Sequence, residues 1–426
     1  MTYLARRSVH RLPALTIALA LLPALIALQP AQAQTFKVLH NFTGGADGYA
    51  PYAGLTIDGA GNFYGTTLYG GITGGSVCHI LGCGVVFRLA HQGTGWIVTP
   101  IYQFTGGSDG AFPAARVIIG PDGTLYGTTV EGGNSQGNDS GGVVFQLRPA
   151  QNSGGRTVAP WVETVVYAFS SFYGDGAQPY YGDLLFDQAG NIYGTTFIGG
   201  YECGDAAWCG TVYKLTHNGG AWTETILYAF PTLGVAFPQA GVIFDASGNL
   251  YGTTTDGNGA VFQLTPAGVG WSERTIHGFN GGSDGALSIG GLIRDPAGNL
   301  YGGTAEGGTN GAGVVYELTP SGGGWTEKVI YNFTGIAYGP VSALVRDPAG
   351  SLYGTTCEGG AHRSGSVFKL TPSGGQWTET DLYAFSGGND GVCPWGSVTL
   401  DAQGNIYGTT AGGGTHNAGV VFQITP

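Results

Sequence analysis

The amino-acid sequence predicts an all-β protein, a seven-bladed β-propeller built from four-stranded antiparallel blades. Three observations support this prediction: turn-forming residues are abundant, one motif recurs seven times, and the first strand matches a strand that the last repeat lacks. Of the 426 residues, 82 are Gly and 20 are Pro, and only 10% are charged. Gly and Pro weaken helix interiors and mark turns, so this composition excludes a long-helix protein. A hydrophobic content of 42% also argues against a disordered chain.

Residues 1–33 have the three parts of a secretory signal peptide. Three Arg residues within the first eleven positions precede an apolar stretch over 12–28, and Ala31-Gln32-Ala33 follows as a cleavage site. An uncleaved membrane anchor is the alternative, but an apolar stretch of this length, interrupted by two prolines, is marginal for crossing a bilayer. We therefore expect a secreted or periplasmic protein with no membrane span after cleavage, in which 34–426 form a single propeller domain.

The charge balance limits the possible partners. The formal net charge is −12, and removal of the three Arg residues of the predicted signal peptide makes it −15. Such an acidic surface disfavours nucleic acid, whose phosphates require Lys and Arg contacts.

A seven-residue motif, typified by Gly-Asn-Leu-Tyr-Gly-Thr-Thr, defines the repeat. Its seven copies begin at Gly61, Gly123, Gly190, Gly248, Gly298, Gly350 and Gly404. The spacings of 62, 67, 58, 50, 52 and 54 residues suit one four-stranded propeller blade and are too long for a solenoid coil.

Each repeat divides into four strands, A to D, by alternation and turn signals. In the fourth repeat we predict strand A over 241–245, B over 249–254, C over 260–265 and D over 271–279. The A–B connection begins with Asp245 and contains Gly248, a pattern typical of a tight turn in which Asp caps the backbone and Gly takes a positive φ. Metal ligation by these Asp residues is the alternative interpretation.

The two ends of the chain predict how the ring closes. The last repeat ends with strand C at 419–426, and no strand D follows it. Residues 36–42 match the D strands of the other repeats. We therefore predict that the first strand completes the last blade and leaves no exposed sheet edge.

The D–A and B–C connections should share one end of the propeller, which we call the variable face because its loops differ most in length. All six cysteines map to this face. In an exported protein an even number of cysteines indicates disulfides. The favoured pairs are Cys78 with Cys83, Cys203 with Cys209, and Cys357 with Cys393. A zinc site is the alternative, although the spacings lack a CxxC pattern.

These repeats resemble the bacterial GloVer-containing, or choice-of-anchor, tandem-repeat proteins. The resemblance rests on the Gly-Asn-Leu-Tyr-Gly-Thr-Thr motif, the following Gly-Gly and the Val-Phe-Lys-Leu-Thr-Pro strand, and it spans all seven units. It implies an exported protein, often attached through a C-terminal sorting signal, but no established reaction. Because the sequence ends at Pro426 without such a signal, we expect free secretion or a periplasmic location.

One position at the start of strand A breaks the repeat. The column reads Gly54, Arg116, Asp183, Gly241, Gly291, Ala343 and Ser397. Arg116 and Asp183 lie in neighbouring blades, and strand A lines the central channel of a propeller. This pair is therefore a candidate for ligand binding or catalysis, with a partly hydrated ion pair that fills the channel as the alternative.

A second column, just after strand B, is acidic in four blades. Its carboxylates are Glu131, Asp256, Glu306 and Glu358, and His362 and His416 occupy equivalent loop positions in adjacent blades. Such groups could bind Ca²⁺ or a cationic ligand, or supply paired acids for glycoside cleavage. Solvated loop charges are the alternative interpretation.

Aromatic residues on the variable face suggest a sugar-binding surface. Trp208 and Trp395 lie outside the D strands that hold the other tryptophans of the repeats, and Tyr181 and Tyr201 are expected nearby. Exposed aromatic rings can stack on sugar rings, although packing between blades also explains such residues.

The sequence leaves three functions open. The favoured one is a secreted, monomeric propeller that binds an extracellular ligand, preferably a glycan, with no cofactor other than an optional Ca²⁺. The second is a carbohydrate-active hydrolase or lyase at the channel mouth, in which Asp183 or Glu358 is the acid or base, Arg116 binds a substrate carboxylate and His362 moves a proton. The third is a scaffold for protein ligands.

Overall fold

The computed structural model describes residues 1–2, 34–133, 141–149, 161–170, 174–203, 208–334 and 339–426. The predicted signal peptide at 1–33 lies outside these residues except for its first two positions. Residues 34–426 form one compact unit. Within the described ranges, no helix has the length and apolar character needed to cross a membrane.

Seven four-stranded antiparallel sheets form the blades of a propeller, as predicted. We number each blade by its copy of the repeat. The A strands are Thr56–Ile57, Ile118–Ile119, Leu185–Phe186, Ile243–Phe244, Ile293–Arg294, Val345–Arg346 and Thr399–Leu400. The B strands are Phe63–Thr67, Leu125–Thr129, Ile192–Thr196, Leu250–Thr254, Leu300–Thr304, Leu352–Thr356 and Ile406–Thr410. The C strands are Val85–Gln92, Val143–Pro149, Thr211–Asn218, Ala260–Ala267, Val314–Ser321, Ser366–Ser373 and Val420–Thr425. The D strands are Gly95–Gln103, Trp161–Ala168, Ala221–Ala229, Gly270–Gly278, Gly324–Asn332 and Gln376–Ala384, with Thr35–Asn41 in blade 7.

The A strands are shorter than predicted. In blade 4 the paired residues are Ile243–Phe244 rather than 241–245. The residues just before them converge on the channel, where a Cβ added to Gly241 would lie 2.4 Å from the backbone oxygen of Asp183 in blade 3. Because the backbones of neighbouring blades come this close, the residues predicted to begin strand A line the channel and do not pair within their own sheet.

The A–B turns are built around an Asp side chain, as predicted. In blade 1 the Asp58 carboxylate accepts the backbone N–H groups of Ala60 and Asn62, the Asn62 amide at 2.8 Å and the Tyr64 hydroxyl at 3.1 Å. Burial alone would raise the pKa of Asp58, but these hydrogen bonds outweigh burial and lower it. The same arrangement recurs around Asp187, Asp245 and Asp401. The Asp and the Tyr of the motif therefore join strands A and B of one blade.

The Gly of the Tyr-Gly-Thr-Thr segment is required by close packing. In blade 4 a Cβ added to Gly252 would lie 2.5 Å from Cζ of Phe262, which is fully buried on strand C. Equivalent Phe or Tyr rings cover the matching glycines of the other blades. The ring of strand C thus occupies the space that a side chain on strand B would need.

We expect Gly252→Ala to lower the free energy of unfolding by about 1–3 kcal/mol, because the buried Phe262 ring cannot move away without disturbing the core. Urea denaturation followed by tryptophan fluorescence measures this loss. Gly278→Ala is the matched control, because it lies on strand D of the same blade with no atom within 4 Å of the added Cβ. Equal stability of the two variants would contradict the packing argument.

The first Thr of the motif connects consecutive blades. In five places its hydroxyl donates a hydrogen bond to a backbone carbonyl of the next blade. Thr66 donates to Ala115 at 3.0 Å, for example, and Thr409 donates to Ala53 at 2.8 Å. We call each contact between blades a seam, numbered by its two blades. At seam 2/3 the Thr128 hydroxyl is buried and has no hydrogen-bond partner among the described residues, and at seam 5/6 Gly303 replaces the Thr. Seam 7/1 has the same bond as seams 1/2, 3/4, 4/5 and 6/7, so the ring closes through the contact that most seams use.

The first strand completes the last blade, which confirms the predicted closure. Strand Thr35–Asn41 pairs with Val420–Thr425, with Thr35 opposite Thr425. Phe36 stacks on Tyr383 of blade 6 with ring centroids 3.8 Å apart, and Phe42 is fully buried. Aromatic side chains on this strand and directly after it therefore pack into the core, while the strand completes the sheet.

The D–A and B–C connections meet at one end of the propeller, which confirms the variable face. In four blades they join through isolated bridges, namely Tyr49 with Tyr69, Ala111 with Glu131, Ala286 with Glu306 and Val392 with Gly412. In blade 6, Pro340 of the D–A connection bridges Thr356 at the end of strand B. In blade 3 they pair as two short strands, Gly176–Ala177 and Ile198–Gly199. The first B–C connection also contains a four-residue helix, Gly75–Cys78.

All three predicted disulfides are present on the variable face. They join Cys78 to Cys83, Cys203 to Cys209, and Cys357 to Cys393. The first two close short loops within one connection, and the third joins the B–C loop of blade 6 to the D–A connection that leads into blade 7.

Candidate functional site

The A strands surround a cavity of about 310 Å³ at the centre of the propeller, which we call the channel cavity. Small residues form much of its wall: Ala53, Gly54, Ala240, Gly241, Gly290, Gly291, Ser342, Ala343, Gly396 and Ser397. Five larger polar or aromatic side chains also line it: Tyr52, Arg116, Tyr181, Asp183 and Trp395. These five side chains determine most of the chemistry that the cavity offers.

Three of them form an aromatic cap, consisting of Tyr52, Tyr181 and Trp395, where the D–A connections enter the channel. The Trp395 ring centroid lies 5.7 Å from that of Tyr52 and 5.8 Å from that of Tyr181. Because Tyr181 belongs to blade 3 and Trp395 to blade 7, the second contact crosses the channel. Burial raises the pKa of both tyrosines, so their hydroxyls stay neutral and can donate hydrogen bonds at physiological pH.

Arg116 and Asp183 form an ion pair deeper in the channel cavity, across seam 2/3. Arg116 Nε and one Nη donate to the same oxygen, Asp183 Oδ2, at 2.9 and 2.5 Å. The two side chains are 31% and 32% exposed, so a ligand could reach them. The structure confirms that these two residues pair across neighbouring blades. The pair lies at the seam where the Thr128 hydroxyl has no hydrogen-bond partner within the described ranges.

The ion pair leaves hydrogen-bonding atoms available to a ligand. Both bonds use Asp183 Oδ2, and within the described part of the chain Asp183 Oδ1 and Arg116 Nη1 have no hydrogen-bond partner. Arg116 can therefore donate and Asp183 can accept further bonds. A donor and an acceptor side by side below aromatic rings suit an apolar ring edged with hydroxyl groups.

The other predicted aromatic residues lie outside the channel cavity. Tyr201 is 54% exposed on the variable face, and Trp208 lies in the connection closed by the Cys203–Cys209 disulfide. The structure thus brings Tyr181 and Trp395 together and leaves Tyr201 and Trp208 elsewhere on the same face.

The predicted acidic positions are spread over separate blades and do not line the channel cavity. Glu131 is half-buried, and burial raises its pKa against an opposing effect of His79. Asp256 accepts a hydrogen bond from the Gly234 backbone, and Glu306 is exposed. Among the described residues, no three His, Cys, Asp or Glu side chains form a group that could hold a metal ion. The Ca²⁺ suggested by this column stays a prediction.

The residues predicted for catalysis are divided between two places. Arg116 and Asp183 line the channel cavity, whereas Glu358 lines a separate groove of about 190 Å³ together with Glu379 and other residues of blades 5 and 6. His362 is exposed on its loop, and so is its equivalent His416. Their side chains are absent from the described lining of the channel cavity.

Tyr52 is the cavity residue that the sequence prediction missed. It precedes Gly54 by two positions, as Tyr181 precedes Asp183 and Trp395 precedes Ser397. The same column holds Ala114, Gln239, Ile289 and Val341 in the other blades. Alignment of this column would have identified all three residues of the aromatic cap.

Several solved structures are similar to this chain. A fungal alcohol oxidase of the AA5 family, solved in complex with copper, is 15% identical, with a TM-score of 0.57 over 92% of this chain and 76% of that chain. A candidate glucose dehydrogenase from Thermus thermophilus is 16% identical, with a TM-score of 0.42 over 74% of this chain and 96% of that chain. A candidate 6-phosphogluconolactonase from Bacteroides uniformis is 15% identical, with a TM-score of 0.48 over 80% of this chain and 95% of that chain. At these identities the likeness concerns the fold alone.

A comparison with curated proteins finds no match to this chain. A family model described as the Gloeobacter/Verrucomicrobia repeat matches residues 24–260 and 254–426, and these two ranges include all seven copies of the motif. The repeat strands, the Asp-centred turns and the closed ring are thus features of a chain that belongs to the Gloeobacter/Verrucomicrobia repeat family.

Proposed function

We propose that this protein is an exported saccharide-binding propeller, in which a sugar ring enters the channel cavity through the aromatic cap. The observation that carries the proposal is the combination of the cap with the Arg116–Asp183 pair. Three disulfides support export, because disulfides persist in oxidising compartments.

The aromatic cap offers apolar ring faces at the place where a ligand would enter. The Trp395 ring packs against Tyr52 and against Tyr181, and these two contacts fix its position. The channel cavity below the cap stays open. Sugar rings have an apolar face that packs on aromatic rings, and their hydroxyls bond to a few well-placed polar groups. A cavity of about 310 Å³ is at the small end of ligand sites, so it suits one or two sugar units at the end of a chain.

The charges favour a neutral sugar over an acidic one. Asp183 already offsets the positive charge of Arg116, so a ligand carboxylate would have to displace it. The chain carries a net charge of −12, which also repels an acidic ligand. Hydroxyl groups can instead use the open atoms of both side chains and leave the ion pair intact.

The geometry gives less support to a glycoside hydrolase. Hydrolysis uses two carboxyl groups placed about 5–10 Å apart across the scissile bond. Within the described residues, Asp183 is the one carboxylate that lines the channel cavity, and Glu358 lines a separate groove. Binding without cleavage is therefore the function that these positions favour.

A glycan array that contains both neutral and uronate-bearing oligosaccharides tests the proposal, followed by calorimetry on each bound glycan. We expect a neutral saccharide to bind and Trp395→Ala to weaken its binding by about tenfold or more, because this Trp holds the centre of the cap. Tyr201→Ala is the control, since this ring is exposed on the same face but lies outside the channel cavity. An array without any bound saccharide, or equal affinities of wild type and Trp395→Ala, would overturn the proposal.

A further inference from the structure

Three further aromatic rings on the variable face continue outward from the aromatic cap. We call Tyr180, Phe197 and Phe237 the outer rings. The Phe197 ring centroid lies 5.4 Å from that of Phe237 and 5.8 Å from that of Tyr180. The Tyr180 centroid in turn lies 4.4 Å from that of Tyr181, the cap ring of blade 3. The cap and the outer rings therefore form one unbroken row, which leads from the mouth of the channel cavity across blade 3 to the connection that enters blade 4.

Tyr180 is an insertion that breaks the repeat. In five blades a Pro directly precedes the column that holds the cap residues, namely Pro51, Pro113, Pro238, Pro340 and Pro394. In blade 3, Tyr180 stands between Pro179 and Tyr181, so this connection is one residue longer. The insertion lies at seam 2/3, where the Thr128 hydroxyl has no hydrogen-bond partner among the described residues. The longer connection thus departs from the repeat and adds a second ring at the mouth of the channel cavity.

The repeat does not require an aromatic residue at either of the other two outer positions. The positions equivalent to Phe197 hold Leu68, Val130, Thr255, Ala305, Cys357 and Ala411. Phe237 has a left-handed backbone, with φ at 61°, and the equivalent left-handed residues are Ala50, Phe112, Gln178, Leu287 and Cys393. A bulky residue is uncommon in this conformation. Because the same backbone accepts smaller side chains at both positions, the rings of Phe197 and Phe237 call for a reason other than the fold.

Backbone hydrogen bonds hold both of these Phe residues in place. The Phe197 N–H donates to the Gln178 carbonyl at 2.9 Å. The Phe237 N–H donates to the carbonyl of Cys209 at 2.9 Å, and a disulfide joins Cys209 to Cys203. Phe237 packs in part against the core, yet all three outer rings stay partly exposed. A ligand would therefore meet aromatic rings that are already ordered, which lowers the entropic cost of binding.

A polar side chain lies beside the row. The backbone carbonyl of Gln239 accepts the Tyr181 N–H at 3.1 Å, and the Gln239 Nε2 donates to Thr255 Oγ1 at 3.4 Å. Among the described residues the Gln239 Oε1 has no hydrogen-bond partner, so it can accept a bond from a hydroxyl group. Exposed ring faces with an uncharged hydrogen-bonding group next to them suit a neutral sugar unit better than a charged ligand.

We propose that the outer rings bind the part of a saccharide chain that the channel cavity cannot hold, so that the ligand is an oligosaccharide bound by one end. This inference rests on the proposed function. The cavity of about 310 Å³ accommodates one or two sugar units, and a longer chain has to leave it through the aromatic cap. The outer rings begin where the cap ends, and they offer successive ring faces to the units that follow.

A size series of one glycan tests this proposal. The series consists of the disaccharide, tetrasaccharide and hexasaccharide of the neutral glycan that binds most tightly on the array, each measured by calorimetry. For the wild type, we expect the hexasaccharide to bind about tenfold or more tightly than the disaccharide, because each stacked unit removes apolar surface from water. Phe237→Leu should keep the disaccharide affinity and lose most of this gain. Leu suits the left-handed position, since Leu287 occupies its equivalent in blade 5.

Phe112→Leu is the matched control, because Phe112 has the same backbone conformation in blade 2 and its ring contacts Tyr69 outside the row. It should retain the wild-type gain. Phe197→Leu and Tyr180→Ala are measured as separate variants, so that the proposal stays testable if Phe237→Leu fails to fold. Equal wild-type affinities for the disaccharide and the hexasaccharide, or equal losses in Phe237→Leu and Phe112→Leu, would overturn this inference and leave saccharide binding in the channel cavity standing. An array without any bound saccharide would overturn both.

Discussion

Replacement of Phe42 by alanine is expected to lower the free energy of unfolding by about 3–5 kcal/mol, the range measured when a buried aromatic residue is truncated. Phe42 is fully buried, and its ring lies edge-on to Phe87 of blade 1 with centroids 5.2 Å apart. It follows directly after the strand that completes blade 7 and packs in one cluster with Leu55 of blade 1 and Val421 of blade 7. The substitution therefore leaves a cavity at the seam that closes the ring.

Urea denaturation monitored by tryptophan fluorescence checks this value. Ile97→Ala is the matched control, because Ile97 is 46% exposed on strand D of blade 1 and should change stability little. Deletion of Thr35–Asn41 should act more severely, since it exposes the edge of Val420–Thr425 to pairing with another chain. A Phe42→Ala variant as stable as Ile97→Ala would show that the closing seam contributes little.

Charge reversal at Arg116 is expected to weaken saccharide binding by about 100-fold or more. Arg116→Glu places a second carboxylate against Asp183 in the channel cavity, so the donor is lost and two negative charges face each other. The effect on stability should stay small, since both side chains are about a third exposed and screened by water. Calorimetry with the saccharide identified on the array measures the affinity.

The swapped variant Arg116→Glu, Asp183→Arg is the sharpest control for that prediction. It restores a donor and an acceptor in the same cavity with their positions exchanged. We expect it to fold normally and to recover part of the lost affinity. If Arg116→Glu binds as well as wild type, the ion pair only fills space, which is the alternative interpretation of these residues.

Much of the architecture could be predicted because each blade is specified locally. Asp245, Gly248 and Tyr251 fix one turn and one strand within a dozen residues, and repetition of such a set seven times gives the blade count. The cysteine pairs were predictable for the same reason, since two of them close loops of a few residues.

The candidate site could be predicted only in part, because its contacts join distant blades. Arg116 and Asp183 were identified because they occupy the same position in two consecutive repeats. Consecutive repeats form neighbouring blades, so these two positions lie close together in the propeller. Trp395 touches Tyr181 across the channel, which depends on the diameter of the closed ring and not on any local pattern. In the sequence, Glu358 is equivalent to carboxylates of other blades and His362 is equivalent to His416, but the distance of each side chain from the channel axis is set by the path of its loop.

Closure by strand Thr35–Asn41 also sets an order of events during synthesis. The first strand of the propeller pairs with the last, across almost four hundred residues, so blade 7 cannot form until its final strand has been made. A contact of such long sequence separation forms late, after the local hairpins of the earlier blades. The strand that is made first thus waits without the partner strand that covers it, and the ring becomes complete only when residues 420–425 have followed it.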